Sequence, residues 1–222
     1  MCGRFVRHSS LHEIAQAFGA AEPSFDLSPN YNVAPSQDVV IITQERPKRL
    51  LLCRWGYIPS WADDPKVGYK MINARAESVA DKPAFKRSFH SGRVLVPANG
   101  FYEWRTQGNT KLPFFVRLKS GRLFAFAGLC NVWKSPHGAT ICTCAIITTD
   151  ANDRLKEFHD RMPVILRREG EPLWLDRDHN DKDTLLNLLR PYAPDEMEYY
   201  AVSPLVNSPG YNSPECLTPV NH

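Results

Sequence analysis

Residues 93–105 read Arg93-Val94-Leu95-Val96-Pro97-Ala98-Asn99-Gly100-Phe101-Tyr102-Glu103-Trp104-Arg105. The runs 93–97 and 100–105 are rich in β-branched and aromatic side chains and flank a short Ala-Asn break, which is the composition of strands rather than of a helix. Similar runs follow at 113–118, 123–129 and 141–148, and turn residues at Gly108-Asn109, Ser120-Gly121 and Pro136-His137-Gly138 separate several of them. This spacing predicts an antiparallel meander curled into a barrel-like sheet.

Working outward, residues 10–18 carry apolar side chains at 11, 14, 15 and 18, a helical stripe that Ser9 or Ser10 can cap and Gly19 can end. A Pro/Ser/Asn-rich loop over 20–37 closes with Tyr31-Asn32-Val33-Ala34-Pro35. Strands are expected at 38–43 and 49–56, divided by a charged turn region, Glu45-Arg46-Pro47-Lys48-Arg49. Helices are expected at 151–157, 169–175 and 182–190, and a last strand near 197–203. The proline-containing tail from 204 should pack as an irregular arm. The fold class is α+β, mainly antiparallel sheet flanked by short helices, with residues 1–222 forming one domain.

The chain is 43% hydrophobic, enough to bury a substantial core. Its net charge of +3 neither demands nor excludes nucleic acid. No run of about 18 apolar residues exists, so no membrane contact is expected. The first 20 residues lack a signal peptide's apolar core, because Arg4, Arg7, His8 and Glu13 interrupt them. A cytoplasmic protein, nucleoid-associated when bound to DNA, is the expectation. Six cysteines (2, 53, 130, 142, 144 and 216) form no C-x-x-C pair. A zinc site recruiting Cys130 and His137 would lack the usual ligand spacing, and buried thiols acting as small hydrophobes account better for these residues. No metal or cofactor is expected, and nothing marks an oligomer.

The reactive chemistry is concentrated at the start, Met1-Cys2-Gly3-Arg4-Phe5. Trimming of Met1 would leave Cys2 with an α-amine and a β-thiol on adjacent carbons. Such a 1,2-aminothiol captures an aldehyde twice, as an imine at nitrogen and then through sulfur as a thiazolidine. The free amine titrates near ~8 and the thiol near ~8.5, so both are usable at neutral pH. Gly3 allows close approach of a ligand, and Arg4 offers a fork for a phosphate or carboxylate.

Glu103 lies among aromatics on a strand whose one face carries Phe101, Glu103 and Arg105, so its carboxyl is either desolvated with a raised pKa or paired with Arg105. His159, in Phe158-His159-Asp160-Arg161, sits on a connection where a general acid or base would be placed. If residues 71–75 are extended, Asn73 and Arg75 point to one side; if not, Asn73 caps a helix beside a solvated Arg75–Glu77 pair. Arg54-Trp55-Gly56-Tyr57 through Trp61 combines a cation with flat rings, as single-stranded nucleic acid requires. At least one of Trp55 and Tyr57 is expected in the core, which leaves Trp61 as the exposed platform.

These segments, in order, resemble the SOS response-associated peptidase (SRAP) family. The matching pieces are Cys2-Gly3-Arg4-Phe5, Tyr31-Asn32-Val33-Ala34-Pro35, Trp55-Gly56-Tyr57 with Pro59, Ile72-Asn73-Ala74-Arg75-Ala76-Glu77, Gly100-Phe101-Tyr102-Glu103-Trp104 and His159-Asp160-Arg161-Met162-Pro163. The resemblance implies a protein that binds single-stranded DNA, including single-strand/duplex junctions, and crosslinks the aldehyde of an abasic site as a thiazolidine. It implies Cys2 as nucleophile, Glu103 as the proton-transfer carboxylate, His159 as proton carrier and Asn73 as the group orienting amine and sugar. It further implies phosphate contacts from Arg4, Arg75 and Arg161, and a wedge at Pro35. Weak lyase activity and self-processing at Met1 accompany this reading, with a monomer as the expected state. Two alternatives are an N-terminal-nucleophile cysteine peptidase and a non-covalent binder of single-stranded or modified DNA. Family members often carry two adjacent tryptophans where this chain has Trp61-Ala62, and Pro83 stands where an arginine contact is sometimes found.

Overall fold

In the computed structural model, local signals start and stop the first elements. The description covers residues 2–108, 110–135 and 138–220. Strand β1 (Phe5–Arg7) leads into helix α1 (Leu11–Phe18). Ser10 and Glu13 form a reciprocal capping box at its start, and Gly19 ends it in the left-handed conformation that a side chain disfavours. Then come β2 (Asn30–Val33), β3 (Asp38–Thr43), β4 (Arg46–Trp55), β5 (Asn73–Arg75), α2 (Pro83–Ser91), β6 (Arg93–Ala98) and β7 (Gly100–Gln107). The chain continues through β8 (Thr110–Leu118), β9 (Phe124–Lys134), β10 (Thr140–Asp150), β11 (Arg161–Pro163), α3 (Glu171–Leu175), α4 (Lys182–Asn187) and β12 (Met197–Ala201).

The barrel-like sheet is present: β10, β4, β3, β6 and β9 pair in sequence, and β9 returns to pair with β10, closing a ring. A second sheet runs β12-β8-β7-β1-β2. The consecutive strands from 93 to 150 are therefore shared between two sheets rather than forming one meander. β6 and β9 pair in the ring, while the hairpin β7–β8 belongs to the second sheet. The cause is at Asn99. Its backbone N–H donates to the carbonyl of Val6, and its side chain bonds the backbone N–H groups of His8 and Ser9, pulling the chain across to β1. β10 also runs parallel to both β4 and β5.

Alternation along the ring strands divides the core. Val40 and Ile42 pack with α1, α2, α3 and α4, whereas Val39 and Ile41 pack with Cys2, Phe5 and Phe101 between the sheets. A third cluster, around Tyr102 and Phe115, is covered by the tail through Val206 and Cys216. The tail is thus a strap fastened to the second sheet.

Three further expectations differ. β4 begins at Arg46, so Arg46-Pro47-Lys48-Arg49 is strand; these side chains are exposed, which a hairpin edge tolerates. Residues 151–157 form turns, not a helix, because Asn152 bonds the N–H of Leu155 and donates to Tyr192 O, tying the segment to the stretch between α4 and β12. The helix expected at 182–190 ends at Asn187. Helix α2 was not anticipated; it buries Phe85 and Phe89 against Tyr57 and Trp174. Both Trp55 and Tyr57 are buried. No helix among the described residues is long and apolar enough to cross a membrane.

Candidate functional site

The segment that leads into β1 runs beside β7, with the Tyr102 N–H donating to Arg4 O, and this places Cys2 next to that strand. Cys2 is fully buried, in the same apolar cluster as Phe5, Trp55, Phe101 and Ile146. Its thiol is pushed far above its ordinary range by burial and by the adjacent Glu103 carboxylate. A thiol held protonated in this way is a poor first nucleophile.

Asn73 reaches the same place from β5, which β10 holds extended through the register Ile146–Asn73 and Thr148–Arg75. The extended alternative for 71–75 is therefore the one realised. Asn73 Nδ2 donates to Cys2 O at 2.8 Å, and its Oδ1 is buried without a partner among the described residues. Buried polar atoms are normally satisfied. An unpaired acceptor beside Cys2 is therefore a place for a donor that the chain itself does not supply.

Glu103 faces inward from β7 and is only 5% exposed, with Oε1 unpartnered among the described residues. Burial raises its pKa to about 7, opposed by the positive charge of the chain's amino terminus. It does not pair with Arg105. That guanidinium bonds Glu157 and stacks on Phe114 and Phe158, 4.5 and 5.1 Å from their ring centres. Glu103 opens onto a cleft of about 520 Å³ that it shares with Arg4, Trp104, Lys111, His159 and Asn207.

His159 is half-buried on the turn after Leu155, and burial followed by the amino-terminal charge lowers its pKa. The ring is therefore mainly neutral at neutral pH. Its Nδ1 accepts from the Arg161 N–H at 3.0 Å, and Asp160 Oδ1 lies 2.5 Å from the same nitrogen. The two contacts require opposite protonation of Nδ1. The neutral ring, with its proton on Nε2, satisfies the backbone donor, and a protonated ring would satisfy Asp160.

The arginines separate into different roles. Arg161 donates to both oxygens of Glu77 at 2.8 and 2.9 Å, to Asp150 at 2.7 Å and to Thr148 O at 2.7 Å. All four Nη protons are thereby used, and the side chain braces β10 and the segment after β5. Arg4 is also largely internal, with Nη1 donating to Asn32 Oδ1 and Val206 O, yet it lines the cleft and its Nε has no partner among the described residues. Arg75 is exposed on the same strand as Asn73. Gly3 and Pro35 are partly exposed, Gly3 next to Cys2 and Pro35 in the turn that follows β2.

Trp61 is 67% exposed, on a loop whose base is tied to the ring. A side chain on Gly56 would come within 2.9 Å of Gly68 O, and one on Gly68 within 2.7 Å of Gly56 O, so only glycines let the loop close here. Asn131 and Trp133 of β9 donate to Ile58 O and Ala62 O, holding the loop upright. The same loop exposes Tyr69 to 66%, a second ring that sequence reasoning missed; its setting between Gly68 and Lys70 was the available signal. Lys111 and Asn207 in the cleft were likewise missed, because strand alternation and tail packing, not a motif, place them there. Met1, Asn109, Pro136 and His137 lie outside the described residues, and with them the trimming of Met1, two of the turn signals and the His137 ligand reading. Among the described residues, no group of three or more His, Cys, Asp or Glu side chains is placed to hold a metal ion.

The architecture matches solved structures closely. A protein from Bacteroides thetaiotaomicron superposes with a TM-score of 0.90 at 28% identity, covering 99% of this chain and 100% of that one. Among curated relatives, abasic site processing protein YoqW of Bacillus subtilis is 49% identical over 98% of this chain and 99% of its own length. Abasic site processing protein YoaM of the same organism is also 49% identical, over the whole of both chains. The vertebrate abasic site processing protein HMCES of Xenopus tropicalis is 31% identical over 86% of this chain and 66% of its own. The family model for SOS response associated peptidase (SRAP) matches residues 1–209, a span holding the cleft and every residue just described around it, and the chain accordingly belongs to that family.

Proposed function

We propose that this protein processes abasic sites in single-stranded DNA by forming a covalent thiazolidine crosslink through Cys2 once Met1 has been removed. The observation that carries the reading is the meeting of three groups: Cys2, the Asn73 amide 2.8 Å from its carbonyl oxygen, and the Glu103 carboxyl, whose charge acts on the Cys2 thiol. The names of the Bacillus relatives, which share about half of this sequence, point to the same lesion.

An abasic deoxyribose is mostly a closed hemiacetal. Glu103, half protonated near pH 7, donates to the ring oxygen as the anomeric hydroxyl loses its proton, and the aldehyde is released. The Cys2 α-amine, oriented through Asn73, adds to the carbonyl carbon. Glu103 regains a proton from the nitrogen of the attacking amine and then protonates the departing hydroxyl of the carbinolamine, so that water leaves and an imine forms. Finally the thiol adds across C=N, forming the C–S bond while its proton passes to nitrogen. The net loss is one water. Because burial keeps the thiol protonated, nitrogen acts first and sulfur second. His159, neutral at working pH, takes and returns protons at the cleft mouth. If sulfur closure fails, the imine permits β-elimination of the 3′ phosphate, which gives weak lyase activity.

Trp61 and Tyr69 stack bases, Arg75, Arg4 and Lys111 take phosphates, Gly3 allows the sugar to approach, and Pro35 wedges against the strand at a junction. Arg161 gives its four Nη protons to Glu77, Asp150 and Thr148 and so positions these segments rather than holding a phosphate, while its Nε is without a partner among the described residues.

The test mixes mature protein with a single-stranded oligonucleotide carrying one abasic site and reads a denaturing gel with intact-mass analysis. The expected product is protein without Met1 plus DNA minus one water, absent in Cys2→Ala. A native gel shift with no covalent product from mature protein would leave a non-covalent binder in its place.

A further inference from the structure

Four of the six cysteines converge outside the cleft. Cys53 lies on β4, Cys130 on β9, and Cys142 and Cys144 on β10. Parallel pairing sets Arg54 beside Thr143 and Trp55 beside Cys144, so one step back places Cys53 beside Cys142. Adjacent strands lie ~4.8 Å apart, within the Cα spacing of about 4.4–6.8 Å that disulfides span. The two sulfurs are already in contact at 3.0 Å. On the other side of the ring, Cys144 stands opposite Cys130, and Cys142 opposite Val132, which is 53% exposed. Cys142 itself is partly exposed, whereas Cys53 is buried at 2%.

This is an unequal pair: one thiol that solvent can reach, and beside it a thiol that solvent cannot reach but the first sulfur can. Hydrogen bonding with the thiols of Cys130 and Cys53 on either side lowers the pKa of Cys142, while burial raises that of Cys53. The thiolate is the form that reacts with peroxide. We propose that Cys53 and Cys142 form a reversible disulfide, with Cys142 the peroxide-reactive sulfur and Cys53 the resolving one. The Cys142 thiolate attacks one oxygen of hydrogen peroxide, the O–O bond breaks, and sulfenic acid and hydroxide result. Cys53 then attacks the sulfenic sulfur, forming the S–S bond and releasing the sulfenic oxygen as water with the Cys53 proton. Two thiols lose two electrons in all, and peroxide becomes two waters. Intracellular disulfides of this sort are usually transient and redox-sensing. The bond would lock β4 to β10, the strand that pairs with β5 and so carries Asn73.

The experiment treats the full-length protein with a small excess of hydrogen peroxide, blocks the remaining thiols by alkylation and maps unreduced peptides. The expected result is a Cys53–Cys142 linked peptide and an intact mass lower by two hydrogens, both reversed by dithiothreitol. Cys142→Ser should show neither change, and Cys130→Ser should show both. A bond through Cys130, Cys2 or Cys216 instead, or oxidation of Cys142 to sulfinic acid with Cys53 still alkylatable, would overturn the proposal. Should Cys142→Ser fail to fold, the wild-type map and Cys130→Ser decide the matter unaided.

Discussion

Glu103, the proton-transfer group of the proposed function, is also a residue whose burial bears on stability. Its pKa moves from 4.5 to about 7 because burial disfavours the carboxylate. A folded pKa above the unfolded one means that the native state binds more protons between those two values, so stability falls as pH rises across them. The penalty is absent below pH 4.5 and complete above about 7. At ~1.4 kcal/mol per unit it amounts to roughly 3 kcal/mol. Glu103→Gln should therefore raise the unfolding temperature at pH 8 and leave it unchanged at pH 4.5, as thermal melts at both values would show; an equal rise at both would contradict desolvation as the cause. The same substitution should slow crosslinking on the order of 100-fold, and the wild-type rate should decline as pH rises through 7. For Asn73→Ala, loss of the bond to Cys2 O should slow capture roughly 10-fold while costing only about 1 kcal/mol of stability. Quench-flow mass analysis beside denaturant titration separates the two effects. The members of this candidate site could each be picked out from the sequence as candidates, but their meeting could not. Cys2, Asn73 and Glu103 come from distant parts of the chain, and only the β1–β7 and β5–β10 pairings unite them.

At the scale of elements, what could be read from the sequence depended on whether the deciding contacts were local. Helix α1 follows from its capping box and Gly19, all within ten residues. Helix α2 has no side-chain cap, and its Phe85–Phe89 stripe makes sense only against Tyr57 and Trp174. The strands announced themselves by alternation, yet their division between two sheets turns on Asn99 bonding across to β1, which no periodicity records. The motif that makes Arg161 a candidate phosphate ligand says nothing of Glu77 and Asp150, which its Nη groups contact. Arg161→Met should lower stability by about 2 kcal/mol, since charge-assisted bonds are lost and only partly exposed acids remain. It should leave the salt dependence of DNA binding unchanged. Arg75→Ala should do the reverse, reducing the slope of log K against log salt by about 0.7, the value for one single-strand phosphate. A reduced slope for Arg161→Met would restore it to the phosphate contacts. On the loop held closed by Gly56 and Gly68, Trp61→Ala should weaken DNA binding by about 1–3 kcal/mol, measured by fluorescence anisotropy, without altering the melt.

The tail straps the second sheet, and one buried side chain makes more of the bonds to it than any other among the described residues. Asn32, fully buried on β2, donates to Val206 O, Ser208 O and Tyr211 O at 3.2, 2.9 and 2.8 Å, and accepts from Arg4 at 2.7 Å. Its two donor protons thus serve three carbonyls of the strap, while its oxygen fixes the arginine that lines the cleft. Trp104 adds a bond to Asn207, which stands at the rim of the same cleft. Ordering of the strap and shaping of the cleft are therefore one event. Asn32→Ala should leave strap carbonyls and the Arg4 guanidinium without their buried partner, costing on the order of 3 kcal/mol. The loss should be local before it is global. Hydrogen exchange should accelerate over residues 204–217 and not over β9 or β10, whose ladders the substitution does not touch. Arg4, freed from Asn32, should lose its fixed position, so crosslinking should slow even in conditions where the protein remains fully folded. Asn32→Asp retains the acceptor for Arg4 but removes the donors to the strap. Under this account it should preserve more of the crosslinking rate than of the protection at 204–217. If Asn32→Ala left exchange in the strap unchanged, the strap would be held by Val206 and Cys216 packing in the third core cluster, and Asn32 would matter to Arg4 alone.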